Sequence, residues 1–122
     1  MTQHHKTKKP DRLKKRSDFL RAQASGIKWI TKGFVLQAAT NETPALRAGF
    51  TVTKRTCRSA VTRNRIKRRL RALARDILPV AARPGYDYVL IGRAGMEERS
   101  FDALCRDLVW ALEKTGLNDR TS

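Results

Sequence analysis

Residues 60–78 constrain the fold of this chain more than any other stretch. Ile66, Leu70, Leu73 and Ile77 recur at i, i+4, i+7 and i+11, which at about 100° per residue gathers them into one apolar stripe of an α-helix. Asn64, Arg68, Arg71 and Arg75 repeat that spacing on the opposite side. Ser59 or Ala60 opens the helix, and Pro79, which lacks an amide N–H, is predicted to stop it after Leu78. Positions 54–75 hold ten basic residues, eight of them arginine, and no acid. Salt bridges at i,i+4 therefore cannot account for them, and their repulsion costs the helix stability unless a polyanion relieves it. A merely solvated face normally mixes signs. Arginine's planar fork favours bidentate phosphate contacts and stacking on bases. Asn64 could bond a base edge or a ribose hydroxyl, or simply cap or solvate a helical turn.

Charge along the rest of the chain sharpens the asymmetry. The 122 residues carry a net charge of +16. Residues 1–75 hold 21 Lys and Arg against three acids, whereas residues 76–122 hold six against eight. One face or end is thus marked for an anionic partner. No stretch approaches the roughly 20 apolar residues of a membrane span, and the first residues run into charge without the apolar core of a secretory signal. A cytoplasmic protein with no membrane partner is expected. The helical stripe also lacks the bulky aromatics of an interfacial helix. Cys57 and Cys105 lie far apart with no CxxC or Cys/His cluster, so they read as ordinary thiols rather than a zinc site or a disulfide framework. His4 and His5 sit in a polar tail where they could touch RNA or a metal, or do neither. Carboxylates grouped for magnesium, or a His/Lys acid–base pair, are not apparent. No catalytic residue and no protein-bound metal is expected.

The length suits one domain with one core. Residues 1–11 read as a flexible basic arm with nothing to bury, 12–117 as a single RNA-binding domain and 118–122 as a tail. Ser17, as N-cap, and Asp18 open a short helix to position 24. Residues 27–39 read as one long strand with Ile30, Phe34, Leu36 and Ala38 on one face. After the turn at 40–44, a strand over 47–53 alternates Ala48, Phe50 and Val52 with Gly49, Thr51 and Thr53. A further strand is predicted over 86–92, then a loop over 93–99. Ser100 caps a last helix with core stripe Phe101, Leu104, Cys105, Leu108 and Leu112, ending before Gly116. The fold class is an α/β (α+β) sandwich: one central, mostly antiparallel sheet of about four strands packed with three helices, in the order α-β-β-(β)-α-β-α. A DNA-reading helix-turn-helix would need a helix just upstream of position 60, where the residues read as strand, so RNA is preferred and DNA is not expected.

The segment Ala60-Val61-Thr62-Arg63-Asn64-Arg65-Ile66-Lys67-Arg68-Arg69-Leu70-Arg71 resembles the RNR signature of the bacterial ribonuclease P protein subunit. Arg12-Leu13-Lys14 and Asp18-Phe19 are similar to that family's opening, Gly49-Phe50-Thr51-Val52-Thr53-Lys54-Arg55 to its GxSVSKK strand, and Pro84-Gly85-Tyr86-Asp87 with Val89-Leu90-Ile91 to its late strand. The resemblance implies a subunit of an RNA-based endoribonuclease that removes the 5′ leader of precursor tRNA, with magnesium held mainly by the RNA subunit and one protein per RNA. It assigns contact with the catalytic RNA to Arg63, Asn64, Arg65, Lys67, Arg68, Arg71 and Arg75. Helical phase qualifies that set, placing Arg63 nearer the apolar side, where it supports the fold or a loop. The resemblance also implies a leader path through Phe19, Gln37, Thr53, Lys54 and Arg12, although Phe19 can equally be core. Where the family often carries two further aromatics, this chain has Gln23 and Gln37, which points to leader contacts shifted from stacking toward hydrogen bonding. The family's fold includes a left-handed βαβ crossover, against the usual right-handed rule. A ribosomal or other structured-RNA binder is the alternative reading, and a protein-only nuclease the third.

Overall fold

The structure is a computed structural model that describes residues 9–119. His4, His5 and most of the expected N-terminal arm lie outside those residues. The elements run β1 (Asp11–Arg12), α1 (Arg16–Ala24), β2 (Ile27–Ile30), β3 (Phe34–Thr40), β4 (Arg47–Thr51), α2 (Ala60–Ala81), β5 (Tyr86–Gly92) and α3 (Phe101–Thr115), with a 3₁₀ turn at Met96–Glu98 inside the 93–99 loop. The five strands lie in the order β1-β4-β5-β3-β2. The class is as expected, with one more strand than expected and a mixed sheet: β2/β3 and β3/β5 are antiparallel, whereas β1/β4 and β4/β5 are parallel. The extra strand is the two-residue β1, whose Asp11 belongs to the predicted arm. Asn118 likewise joins the fold through a bridge to Ala82.

Alternation along the strands sends one set of side chains to each face of the sheet. Phe34, Leu36, Ala38, Ala48, Tyr88 and Leu90 face α2 and α3, where Ile66, Leu70, Leu73, Leu104, Leu108 and Leu112 complete the main core. Truncating one of these fully buried leucines to alanine costs about 2–5 kcal/mol. The predicted stripes of both long helices are the ones buried, with Ile77, Phe101 and Cys105 at their partly buried margins. Burial pushes the Cys105 thiol up, toward its unreactive protonated form. On the other face α1 packs through Ala22 and Phe19 onto Leu13, Ala39, Val89 and Ile91. It covers only part of that face.

Four boundaries differ from the sequence expectation, the simplest being that β4 ends at Thr51, two residues short of Thr53. The run over 27–39 is a hairpin, because Thr31 closes a turn: its hydroxyl donates to the Phe34 carbonyl at 2.8 Å and accepts from the Phe34 amide at 3.1 Å. Gly33 is required there, since a Cβ would stand 2.6 Å from Leu104 Cδ2. The turn resets the alternation, so Ile30 is 54% exposed while Phe34, Leu36 and Ala38 are buried. α2 runs through Pro79 to Ala81. A proline so near the end removes one helical hydrogen bond, and buried Leu78 and Ala82 on either side hold the backbone in place. α1 starts at Arg16, which puts the predicted cap Ser17 inside the helix; Lys15 stands at the N-cap and has no side-chain acceptor for the first amides, while Asp18 pairs with Arg21 at 3.1 Å and Arg47 at 3.7 Å.

Candidate nucleic-acid interface

α2 presents two kinds of arginine. Ser59 caps its start by accepting from the Thr62 amide at 3.2 Å. Arg63 bends back to donate to the carbonyls of Cys57 at 2.9 Å and Arg58 at 2.8 Å, bracing the segment that leads into the helix. This is the supporting role that helical phase indicated. Arg69 was not singled out by the sequence, yet it is the most engaged cation of the helix. Its guanidinium donates to the carbonyls of Met96 at 3.0 Å, Glu97 at 3.2 Å and Arg99 at 3.0 Å, clamping the 3₁₀ turn onto α2. Arg65 lies beside the same turn, 3.6 Å from Glu97, and remains 57% exposed.

The remaining cations face outward. The side chains of Lys67 and Arg68 make no hydrogen bond or ion pair among the described residues, and Asn64 and Arg68 are exposed. Arg75 is exposed and touches only its neighbour Asp76, at 3.3 Å. Arg71 departs from the predicted outward row: it is half-buried, and its Nε is enclosed with no hydrogen-bond partner. It lines a recess of about 270 Å³ with Arg75, Arg12, Lys9, Phe50 and Ala74. Arg12 thus joins the α2 cations instead of the cleft where the sequence placed it, because β1 pairs alongside β4 at Ala48.

The cleft itself lies on the opposite face of the sheet, beside α1. Its volume is about 600 Å³, and Phe19, Gln23, Gln37, Thr51, Thr53 and Ile91 are among its walls, with Lys14 and Arg16 at the rim. Phe19, Gln37 and Thr53 are therefore brought together as expected, whereas Lys54 is exposed outside the cleft. Phe19 is half-buried, serving as both core and wall. Its ring rests directly on Gly49, where an added Cβ would stand 2.6 Å from Cε1 and Cζ. Thr53 turns its hydroxyl to the Thr56 amide and Thr56 Oγ1, both at 3.1 Å, which fixes the turn after β4.

A charge network holds α1 over the sheet. Asp87, fully buried on β5, accepts from Arg47 Nε at 2.7 Å and Nη2 at 2.8 Å, from Arg21 at 2.5 Å and from Asn41 at 2.9 Å. The hydrogen bonds to Asp87 raise the Arg47 pKa above the ordinary value. Only the acid at position 87, inside an otherwise apolar strand, could have signalled this network in the sequence. Among the described residues no three His, Cys, Asp or Glu side chains cluster so as to hold a metal ion. Asp18, Asp87 and Asp107 are all taken by arginines, so the donor set does not fit protein-held magnesium. No helix among the described residues is long and apolar enough to cross a membrane.

Comparisons with known proteins converge. The Ribonuclease P family matches residues 7–116. The chain is 45% identical to the ribonuclease P protein component of Paramagnetospirillum magneticum, covering 91% of this chain and 86% of that one. It is 47% identical to the component from Ruegeria pomeroyi, with 84% and 83% covered. Among solved structures, the Staphylococcus aureus RNase P protein superposes with a TM-score of 0.73 at 26% identity, covering 91% of this chain and all of that one. The Thermotoga maritima RNase P protein gives 0.72 at 28% identity, covering 85% and 96%. Sequence, fold and the RNR helix agree, and the chain belongs to the Ribonuclease P family of protein components.

Proposed function

We propose that this chain is the protein subunit of a ribonuclease P holoenzyme, an endoribonuclease that removes the 5′ leader of precursor tRNA, and that it works through two separate RNA surfaces. The α2 surface formed by Asn64, Arg65, Lys67, Arg68 and Arg75, with the half-buried Arg71 beside it, docks on the catalytic RNA. The cleft beside α1 receives the single-stranded leader against Phe19, Gln37 and Thr53. One observation carries this reading: α2 spends Arg63 and Arg69 on backbone carbonyls yet leaves Lys67 and Arg68 without a partner among the described residues. Unpaired like charges on one helix destabilise it unless an anion binds there.

The division of labour follows from the side chains present. In this reading the RNA holds the metal ions that activate the attacking water, consistent with the lack of a carboxylate cluster among the described residues. The protein's cations lower phosphate repulsion where RNA strands converge, which favours metal binding by the RNA. Gln23 and Gln37 give the cleft amide donors and acceptors beside the Phe19 ring, a lining suited to hydrogen bonding of unpaired bases as well as stacking. One protein per RNA, acting in the cytoplasm, completes the proposal. The test is cleavage of precursor tRNA by a bacterial ribonuclease P RNA at low magnesium, with and without this protein. Addition of the protein should accelerate cleavage. A rate no faster than that of the RNA alone would leave only a structured-RNA binder, and leader removal by the protein alone would make it a nuclease in its own right.

A further inference from the structure

The open face of the sheet continues past the cleft. Thr51, Ile91, Val35 and Ile30 are register partners, one each from β4, β5, β3 and β2, and together form a straight row across the sheet. The flanking row Phe50, Leu90, Leu36 and Trp29 packs on the main core, so the Thr51–Ile30 row points to the α1 face. At about 4.8 Å per strand it spans about 14 Å. Thr51 and Ile91 belong to the cleft, Val35 is half-buried, and Ile30 at the far end is 54% exposed. An apolar track thus leads out of the cleft to the free edge of β2.

At that edge lies a second recess, of about 320 Å³, lined by Ile30, Lys32, Arg93, Arg99, Asp107 and Trp110. Trp110 is 46% exposed and stands edge-to-face on Trp29, with centroids 5.3 Å apart and planes at 86°. Its position is therefore fixed while nearly half its surface stays open. Asp107 is taken by Arg99 at 2.6 and 3.0 Å, which leaves Lys32 and Arg93 to set the charge of the recess. Arg93 is oriented by its bond to the Thr31 carbonyl at 2.6 Å. An exposed indole beside uncompensated cations is the combination that single-stranded nucleic acid recognises, through base stacking and phosphate contact. A second copy of this chain, at +16, would bring the same positive charge to the edge and be repelled.

We propose that this recess is a distal subsite for the single-stranded leader, in which a base stacks on Trp110 beside Ile30 and the adjoining phosphates meet Lys32 and Arg93. The inference rests on the cleft being the leader path. Binding to the holoenzyme should be measured for mature tRNA, for precursor with a leader that ends within the cleft, and for precursor with a leader long enough to reach β2. The longer leader should bind more tightly than the shorter. Trp110→Ala and, separately, the surface change Ile30→Ala should each erase about tenfold of that gain and leave short-leader affinity unchanged. Both tryptophans of the chain lie at this site, so the long leader should also quench intrinsic fluorescence more than the short one. A length-dependent gain that survives both substitutions would overturn the subsite, as would equal quenching by the two leaders. A concentration-dependent dimer dissolved by Trp110→Ala would reassign the patch to self-association. If the short leader binds no better than mature tRNA, the cleft reading fails, and the subsite with it.

Discussion

Arginine changes its meaning with its hydrogen bonds. Arg68 and Arg69 are neighbours in a basic run, yet one faces solvent and the other satisfies three carbonyls of a turn nearly thirty residues away. Arg69→Lys keeps the charge but cannot reproduce the fork, so it should cost about 2 kcal/mol in denaturant unfolding. Its effect on the salt dependence of RNA binding should be small. Arg68→Ala should do the opposite, leaving stability within about 0.5 kcal/mol while lowering the salt slope of RNA affinity by about one. Tyr88 supplies a pH signature at the same scale. Its phenol is buried in the core and donates to the Arg83 carbonyl at 2.6 Å, and burial raises its pKa well above the ordinary value of 10.0. The neutral phenol is the form that folds, so its contribution is complete below pH 10 and is lost as pH rises beyond that value. Urea midpoints across that alkaline range should fall less steeply for Tyr88→Phe than for the parent.

At the scale of elements, the cleft exists because α1 is held close to the sheet at one end and leaves it open at the other. Asp87, Arg21 and Arg47 pin the helix, and Gly49 lets the Phe19 ring approach the backbone of β4. Gly49→Ala should lift that ring, lowering stability by about 1–3 kcal/mol and narrowing the preference for leader-bearing over mature tRNA. Unchanged discrimination in binding assays would show that Phe19 serves only the core. The βαβ unit of β4, α2 and β5 places the RNR helix on the other face. Pro79 lies within α2 because its missing N–H costs one bond while Leu78 is buried beside it.

In the proposed function, the thickness of the sheet separates two RNA surfaces, so that one cation-rich helix grips a structured RNA while a cleft handles a single strand. The five α2 cations of the proposed docking surface, if each meets a phosphate, predict that log affinity for the catalytic RNA falls with log salt at a slope of about −4. A slope near zero would remove the phosphate contacts on which the reading stands. Asp87 and Asp107 are engaged by arginines that hold α1 and the 93–99 loop in place.

The sequence by itself determined the helical stripes, the cap at Ser100, the class of the fold and the family, because each is written in local spacing or in a contiguous motif. Phase alone separated Arg63 from Asn64 and Arg68, and the fold bore that out. Tertiary structure decided what depends on partners distant in the chain. Thr31 and Gly33 became a turn only against Phe34 and Leu104, and Arg69 became a clamp only where the 93–99 loop returns to α2. Arg12 moved to the recess of Arg71 because β1 pairs with β4, and Asp87 could be buried only where Arg47 and Arg21 meet it. A side chain's intrinsic chemistry is local, but whether its charge is spent inside the fold or left for a partner is settled by which backbone passes beside it.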